Sequence, residues 1–581
     1  MAKQIIFAVT LLITSGFFFY TVKRLAKYFS FTRPAFPVKD IGKRLKIMTD
    51  VALAQSKIFR RPVIGFFHAL VFWGFCIIIF GSIEMVIDGL AGTERILKFM
   101  GPVYDIIIAA GDIFGLLVAI AVVIFLFRRL VLHVKRFEGI EMKERSHIDA
   151  TIALSLILLL MVSLLAMNTG YKGYKTLSGE EVAGLFPVSS MFLRMFSGFS
   201  SGHFLFMHNI SWWTHILLIF VFANYLPYSK HFHVFMSVPN VFLSRLYPLG
   251  KLVNMDNVTR EVRLMMNPET AYSETSSEAA PERFGIRDAE DVTWKNYFDS
   301  LSCTECGRCT SVCPANITGK KLSPRKIMMD LRARMKEKGP EMIRHGRDYS
   351  DGRSLLTGYI TGEELWACTT CNACAMECPV NISQPELILG MRRYLVMEEG
   401  SAPAGLKSIF SNIENNGAPW QYSAEDRLLW ARDIEFKVPV MADLAGAGIK
   451  PDYLFWVGCA GAFDDRYKKV VRSFTKILHH LNVSYAVLGR EETCTGDPAR
   501  RAGNEMLYQM QALQVIEILK NYGVRKIITT CPHCYNIFRN EYPDLGGNYE
   551  VISYLQLIAD CLREGRLKGG MKSFGDSMVT Y

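Results

Sequence analysis

LSCTECGRCTSVCPANI (residues 301–317) and WACTTCNACAMECPVNI (366–382) carry one pattern twice. Cys303, Cys306, Cys309 and Cys313 run up to Pro314; Cys368, Cys371, Cys374 and Cys378 run up to Pro379. Each copy reads C-x-x-C-x-x-C-x-x-x-C-P. In this register three close thiolates bind three irons of one cubane, and the fourth, set off by one more residue and a proline, crosses to the other. One 4Fe–4S cluster is therefore expected on Cys303, Cys306, Cys309 and Cys378. Another is expected on Cys368, Cys371, Cys374 and Cys313. Structural zinc usually takes two C-x-x-C pairs and has no need of eight cysteines so spaced.

The 581 residues suggest three or four domains. Of fourteen cysteines, twelve fall into metal-ligand spacings, which excludes a secreted disulfide scaffold. Cys76 and Cys561 are expected to be buried core thiols. Reduced thiolates place the cluster-bearing half in the cytoplasm. The net charge of +11 sits beside apolar spans, where it sets membrane orientation, so no nucleic-acid partner is expected.

Five stretches are apolar and long enough to cross a bilayer: roughly 4–22, 63–87, 103–127, 148–168 and 206–228. The first lacks a small-residue cleavage site and reads as a retained anchor. Residues 22–62 carry eleven Lys or Arg against two Asp, and 128–149 carry six more; the two alternate loops, 88–102 and 169–205, hold five between them. This bias puts the N-terminus outside and the cysteine-rich half inside.

His68 lies near the inner start of the second span, and the fifth carries His208, His215, His231 and His233. On one continuous helix His215 and His233, five turns apart, share a face about 27 Å apart, while His231 points about 200° away from His233. Depth pairs His68 with His233, as bis-imidazole ligation of a haem b requires. His215 finds Ile78, not a histidine, at its level on the second span, so a second haem needs a partner that the sequence does not offer. Asp112 and Glu84, costly within spans at about 2.5–3.5 kcal/mol each, form with His215 an expected polar pocket in the outer half for a quinone. Packing hydrogen bonds would explain them equally well.

After a polar stretch (265–295) comes a ferredoxin-like helical domain, 296–395, in which LSPRKIMMDLRARMKEK is expected to be a solvated basic helix. Residues 396–450 read as a second connector. From Asp452, short apolar runs alternate with helices: YLFWVGC, a helix at 465–481, SYAVLG, a helix at 503–521, VRKIITTC, a helix from Cys534, YEVISY, a helix at 554–563 and a last run, MVTY. That is βαβ architecture with cysteines at the carboxyl ends of strands. Cys459, Cys494, Cys531 and Cys534 remain as ligands for a third 4Fe–4S cluster. The division is thus a five-span haem b membrane domain (1–240), a connector (241–295), the two-cluster domain (296–395), a connector (396–450) and a cysteine-rich α/β domain (451–581).

On WWTH (212–215), SKHFH (229–233) and the span count, the membrane half resembles the membrane subunit of respiratory nitrate reductase and its heterodisulfide reductase relatives. WVGCAGAFDDR (456–466), CTGDPARRAGNE (494–505) and CPHCYNIFRNEYP (531–543) resemble the cysteine-rich motif of heterodisulfide reductase, with Thr495 where the second cysteine of C-C-G would stand. The order of parts is similar to the bacterial membrane-bound electron-transferring flavoprotein:menaquinone oxidoreductases. The resemblance implies the inner (cytoplasmic) membrane of a bacterium, with electrons passing from a reduced electron-transferring flavoprotein, through the clusters and haem b, to menaquinone. Its rivals are a thiol–disulfide oxidoreductase coupled to menaquinol and a non-catalytic relay that docks partners. Such relatives usually carry a second cysteine-rich repeat, so this domain is expected to end half-built at MVTY.

Overall fold

The computed structural model describes residues 1–266 and 283–567. The central part of the 265–295 stretch and the MVTY run lie outside them. The chain forms two compact units: residues 1–246 with 288–387, and residues 247–287 with 388–581.

The first unit begins with five helices: Ala2–Tyr28 (α1), Pro62–Ala91 (α2), Pro102–Leu130 (α3), Glu144–Leu177 (α4) and Ser201–Tyr225 (α5). All five are long and apolar enough to cross a membrane. Proline opens α2 and α3, where its missing N–H costs nothing, and Ser200 caps α5. Small residues bring helices close: a Cβ at Gly170 of α4 would stand 2.6 Å from the His208 amide nitrogen of α5. Exposed Leu12, Ile106, Val123 and Val221 face outward, as lipid contact requires.

The fifth span departs from a continuous helix. It ends at Tyr225, and two 3₁₀ turns, Leu226–Tyr228 and Lys230–Phe232, precede a new helix at His233. Pro227 lies in the first of these turns, where it cannot continue the α-helical ladder. The His231 and His233 rings consequently lie 5.8 Å apart, not on opposite faces. Cys76 is only half-buried, whereas Cys561 is buried.

The helix Trp294–Ser302 (α6) leads into the first cysteine motif, and Pro324–His345 (α7) joins the two motifs. The solvated helix expected there is a buried one. Arg325, Arg332, Arg334 and Lys338 are all buried. Arg325 pairs with Glu141 at 2.7 Å, Arg334 with Asp288 at 2.7 Å and Asp351 at 2.6 Å, and Lys338 with Asp288 at 2.8 Å. Removing one partner from such a pair leaves an uncompensated buried charge, so the cations are fixed where their carboxylates are.

The second unit holds a parallel sheet of Tyr453–Trp456 (β1), Tyr485–Ala486 (β2), Lys526–Thr529 (β3) and Glu550–Ser553 (β4), in the order β2-β1-β3-β4. Asp465–His480 (α8) packs Val471, Phe474 and Leu478 beneath Phe455 and Ile528. Glu505–Asn521 (α9) packs Leu507 and Val515 against Leu454, Trp456 and Ile527 on the other face. Both faces are covered, which is why the central positions of the strands are apolar. Residues 396–450 do more than connect. Ile413 and Met441 enter one core, and Trp430, Ile434 and Val438 the other. Met441 N–H also donates to Val487 O at 2.8 Å, extending the sheet edge. In the 241–295 stretch, Asp256–Met266 is helical with Val258 and Val262 buried.

Candidate metal centres

The two cysteine motifs share a backbone trace. Glu305 and Gly307 in the first, and Thr370 and Asn372 in the second, stand at the same offsets, and all four have positive φ. Gly and Asn adopt this region readily; Glu305 and Thr370 are held there by their surroundings. The turns bend each C-x-x-C-x-x-C inward.

The thiols gather in two sets. Cys309 lies among Cys306, Cys303 and Cys378, with Cys374 next. Cys374 lies among Cys368, Cys313 and Cys371. Each motif's fourth cysteine thus stands with the other motif's first three. Burial pushes the Cys303 thiol up to about 11 and the Cys378 thiol up to about 12. Thiols so desolvated ionise only against strong positive charge, and iron supplies it. Among the described residues no three His, Cys, Asp or Glu converge as they would on a single metal ion. The donor set fits a cubane.

The first set lies against the span ends. Arg308, beside it, donates to Lys57 O at 2.8 Å and Ile58 O at 3.1 Å. Lys57 Nζ reaches Cys378 O at 3.3 Å. Glu305, the strained residue of its loop, takes Lys230 at 3.2 Å and is also bound by Arg332 and Ser146. Lys230 and Ser146 come from the neighbouring ends of α5 and α4, so the cluster loop is bolted to the helices.

His68 and His233 meet at the same end. His68 is within electrostatic reach of both His233 and Arg308. Its Nδ1 lies 3.0 Å from Gln55 Oε1, and His233 Nδ1 lies 3.3 Å from Lys230 O. A carbonyl oxygen only accepts, so Nδ1 carries the proton on each ring and Nε2 is left bare. Burial pushes His233 down to about 4, which keeps it neutral as a ligand must be. These two rings, neutral and with Nε2 bare, would suit a haem and would hold it through those nitrogens. Gln55, at a positive φ in the basic loop, was not singled out from the sequence, where it carries no signal beyond its polarity. His215 binds Leu160 O at 3.0 Å and Ser163 Oγ at 2.9 Å, and Ile78 lines the cavity beside it.

Asp112 and His215 line one cavity, and Glu84 reaches Asp112 through Arg95 and Asn168. Asp112 accepts from the Val188 and Ser189 amides at 2.8 and 2.9 Å, from Ser189 Oγ at 2.5 Å and from Asn168 at 3.3 Å. It thereby anchors the start of the short helix Pro187–Leu193. Glu84 instead accepts from Tyr104 OH at 2.9 Å and Leu97 N–H at 3.1 Å. It also lines a separate cavity of about 240 Å³ with Asp88, Arg95, His208 and Trp212. Asp112→Asn should destabilise the protein by about 1–3 kcal/mol, because its amide turns donors toward donors. Thermal unfolding in detergent measures this; a change confined to quinone affinity would contradict the anchoring role.

In the second unit Cys534 lies among Cys531, Cys459 and Cys494. Gly458 follows β1 at φ +76°, where a Cβ would stand 3.7 Å from both Cys531 Cβ and Cys534 Sγ. Gly496, at φ +84°, is pressed against Tyr508 and donates its N–H to Cys494 Sγ at 3.4 Å. Arg427, from the stretch read as a connector, donates to Cys459 Sγ at 3.6 Å and pairs with buried Glu492 at 3.4 Å. Hydrogen bonding from Cys494, and then Arg427, draws the Cys459 thiol down to about 7. Thr495 Oγ1 lies 3.9 Å from Cys534 Sγ, at the edge of the four thiols. A hydroxyl is a poor ligand for iron, so the four thiols form the donor set, and it fits one cubane.

Fold and sites together define an iron–sulfur oxidoreductase with a membrane-spanning helical part. A family model described as a 4Fe-4S dicluster domain matches residues 302–382, and one described as a cysteine-rich domain matches 453–539. The probable iron-sulfur-binding oxidoreductase FadF of Bacillus subtilis is 31% identical over 98% of this chain and 80% of its own length. The EtfAB:quinone oxidoreductase of Syntrophomonas wolfei is 31% identical over 97% of this chain and 78% of its own. One component of the dihydromethanophenazine:CoB–CoM heterodisulfide reductase of Methanosarcina mazei is 26% identical over 48% of this chain and 68% of its own. No solved structure matches the chain. The chain belongs to the family of membrane-bound iron–sulfur oxidoreductases that includes FadF and EtfAB:quinone oxidoreductase.

Proposed function

We propose that the protein carries electrons from a reduced electron-transferring flavoprotein to menaquinone, with haem b held by His68 and His233 between the clusters and the quinone. The observation that carries this is the bolting of the first cysteine set to the span ends that bear both histidines, through Arg308, Lys57 and Glu305. Bound there, the clusters and haem supply one-electron steps between a two-electron donor and a two-electron acceptor. Cys303, Cys306, Cys309 and Cys378 would hold the cubane nearer the membrane, and Cys313, Cys368, Cys371 and Cys374 the one farther from it. The basic loops 22–62 and 128–149 support a cytoplasmic, donor-facing cluster domain in a bacterial inner membrane. Thr495 in place of a cysteine argues against disulfide chemistry at the third site, which is read as a further relay.

Glu84 stands sixteen residues beyond His68 on α2, about 24 Å along the axis. The reading therefore seats the quinone head on the haem side of Glu84, toward His68. Glu84→Gln should then leave quinone reduction within about twofold; a tenfold loss would move the quinone seat outward. The reading itself is tested by steady-state reduction of a menaquinone analogue by reduced flavoprotein. A protein with its clusters and haem intact that reduces no quinone would overturn it.

A further inference from the structure

The loop joining α3 to α4 is pressed onto the first cysteine set. Gly307 follows Cys306 at φ +71°, where a Cβ would stand 2.2 Å from Arg136 O and 2.9 Å from Arg325 Nη1. Arg325 holds the loop in place, donating to Arg136 O and Glu138 O at 2.7 Å each while paired with Glu141. The Arg136 side chain is then committed to this spot. Its Nε and Nη1 are buried without a hydrogen-bond partner. The opposite charge it feels most strongly is Cys306, and the other charged groups acting on it are cations: Arg128, Arg61 and Arg308. Three guanidiniums crowd one ring, with Arg128, Arg129 and Arg136 lying 5.6, 4.9 and 5.1 Å from the Phe137 centroid.

We propose that Arg136 donates its free N–H groups to sulfur of the membrane-side cluster and makes that cluster the more readily reduced of the two. The proposal rests on the two-cluster reading of the cysteines. Desolvated donors without partners are strongly unfavourable unless an acceptor arrives with the cofactor. An anionic sulfur cluster is such an acceptor, and charge-assisted bonds are the strong ones. Reduction adds one negative charge, so a buried cation and N–H···S bonds favour the reduced form. An electron shared between the cubanes would then rest on the membrane side, which biases flow from the donor toward the quinone.

The test is an anaerobic redox titration of the membrane-bound holoprotein, followed by EPR, for wild type, R136Q and R136K. Iron and acid-labile sulfide are counted first; a content too low for two cubanes in the wild type refutes the two-cluster reading itself. The membrane-side signal is the one whose spectrum changes in Cys306→Ser. In R136Q its reduction constant should fall about tenfold, which is about 59 mV for one electron, while the other midpoint holds. R136K, keeping the charge, should lose less. Unmoved midpoints, or equal shifts of both clusters, would overturn the proposal. Should R136Q fail to assemble, wild type grown on isotope-labelled arginine decides: it should show a nitrogen hyperfine coupling at the membrane-side cluster that R136K lacks, and no such difference would overturn the proposal.

Discussion

Cys378→Ala is expected to strip the cubane from Cys303, Cys306 and Cys309, and to leave loaded the one on Cys313, Cys368, Cys371 and Cys374. The lesion therefore falls mainly on the other motif. Cys378 is buried among Cys303, Cys306 and Cys309, and its own motif's first three thiols stand with Cys313. Iron should drop by about four per chain. Quinone reduction should fall at least about a hundredfold, because the site bolted to the spans would be empty. Iron analysis with EPR reads the outcome. Loss of the cubane on Cys368, Cys371 and Cys374 would show that the ligands do not cross.

His68→Ala and His233→Ala should each abolish the low-spin haem spectrum, while His215→Ala keeps it. Either loss would leave one imidazole of the two to hold the haem. Gln55 and Lys230 O orient rings whose Nε2 atoms are otherwise bare, and such supporting bonds are typically worth 10–100-fold in metal affinity. Gln55→Leu should accordingly weaken haem retention in that range without removing the ligand. With haem gone and clusters intact, quinone reduction should fall about a hundredfold or more. A full haem spectrum in both histidine variants would refute the ligation; loss only in His215→Ala would move the haem outward.

The cysteine sets were legible because iron ligation is written locally, as spacing, and the sheet because its strands are apolar runs cut by helices. The spans were legible because a bilayer demands length and apolarity. What escaped is long-range charge. α7 reads as a solvated basic helix because Glu141, the partner of Arg325, lies 184 residues away. Arg427 sits in a stretch without any motif, 32 residues before the cysteine it touches. Asp112 reads as a pocket residue in sequence and lines a cavity with His215, but only the helix Pro187–Leu193 reveals the amides it satisfies. The register of His231 and His233 failed for a local reason: the turns at 226–232 end the helix that the periodicity assumed.

The central claim is that one path runs from the clusters through haem to quinone. Its most direct test mixes reduced electron-transferring flavoprotein with the oxidised protein, anaerobically and without quinone, while haem absorbance and cluster EPR are followed. The account predicts that the clusters reduce first and the haem follows, and that a menaquinone analogue then reoxidises the haem at the rate of turnover. Quinone reduction at full rate while the haem stays oxidised would contradict it.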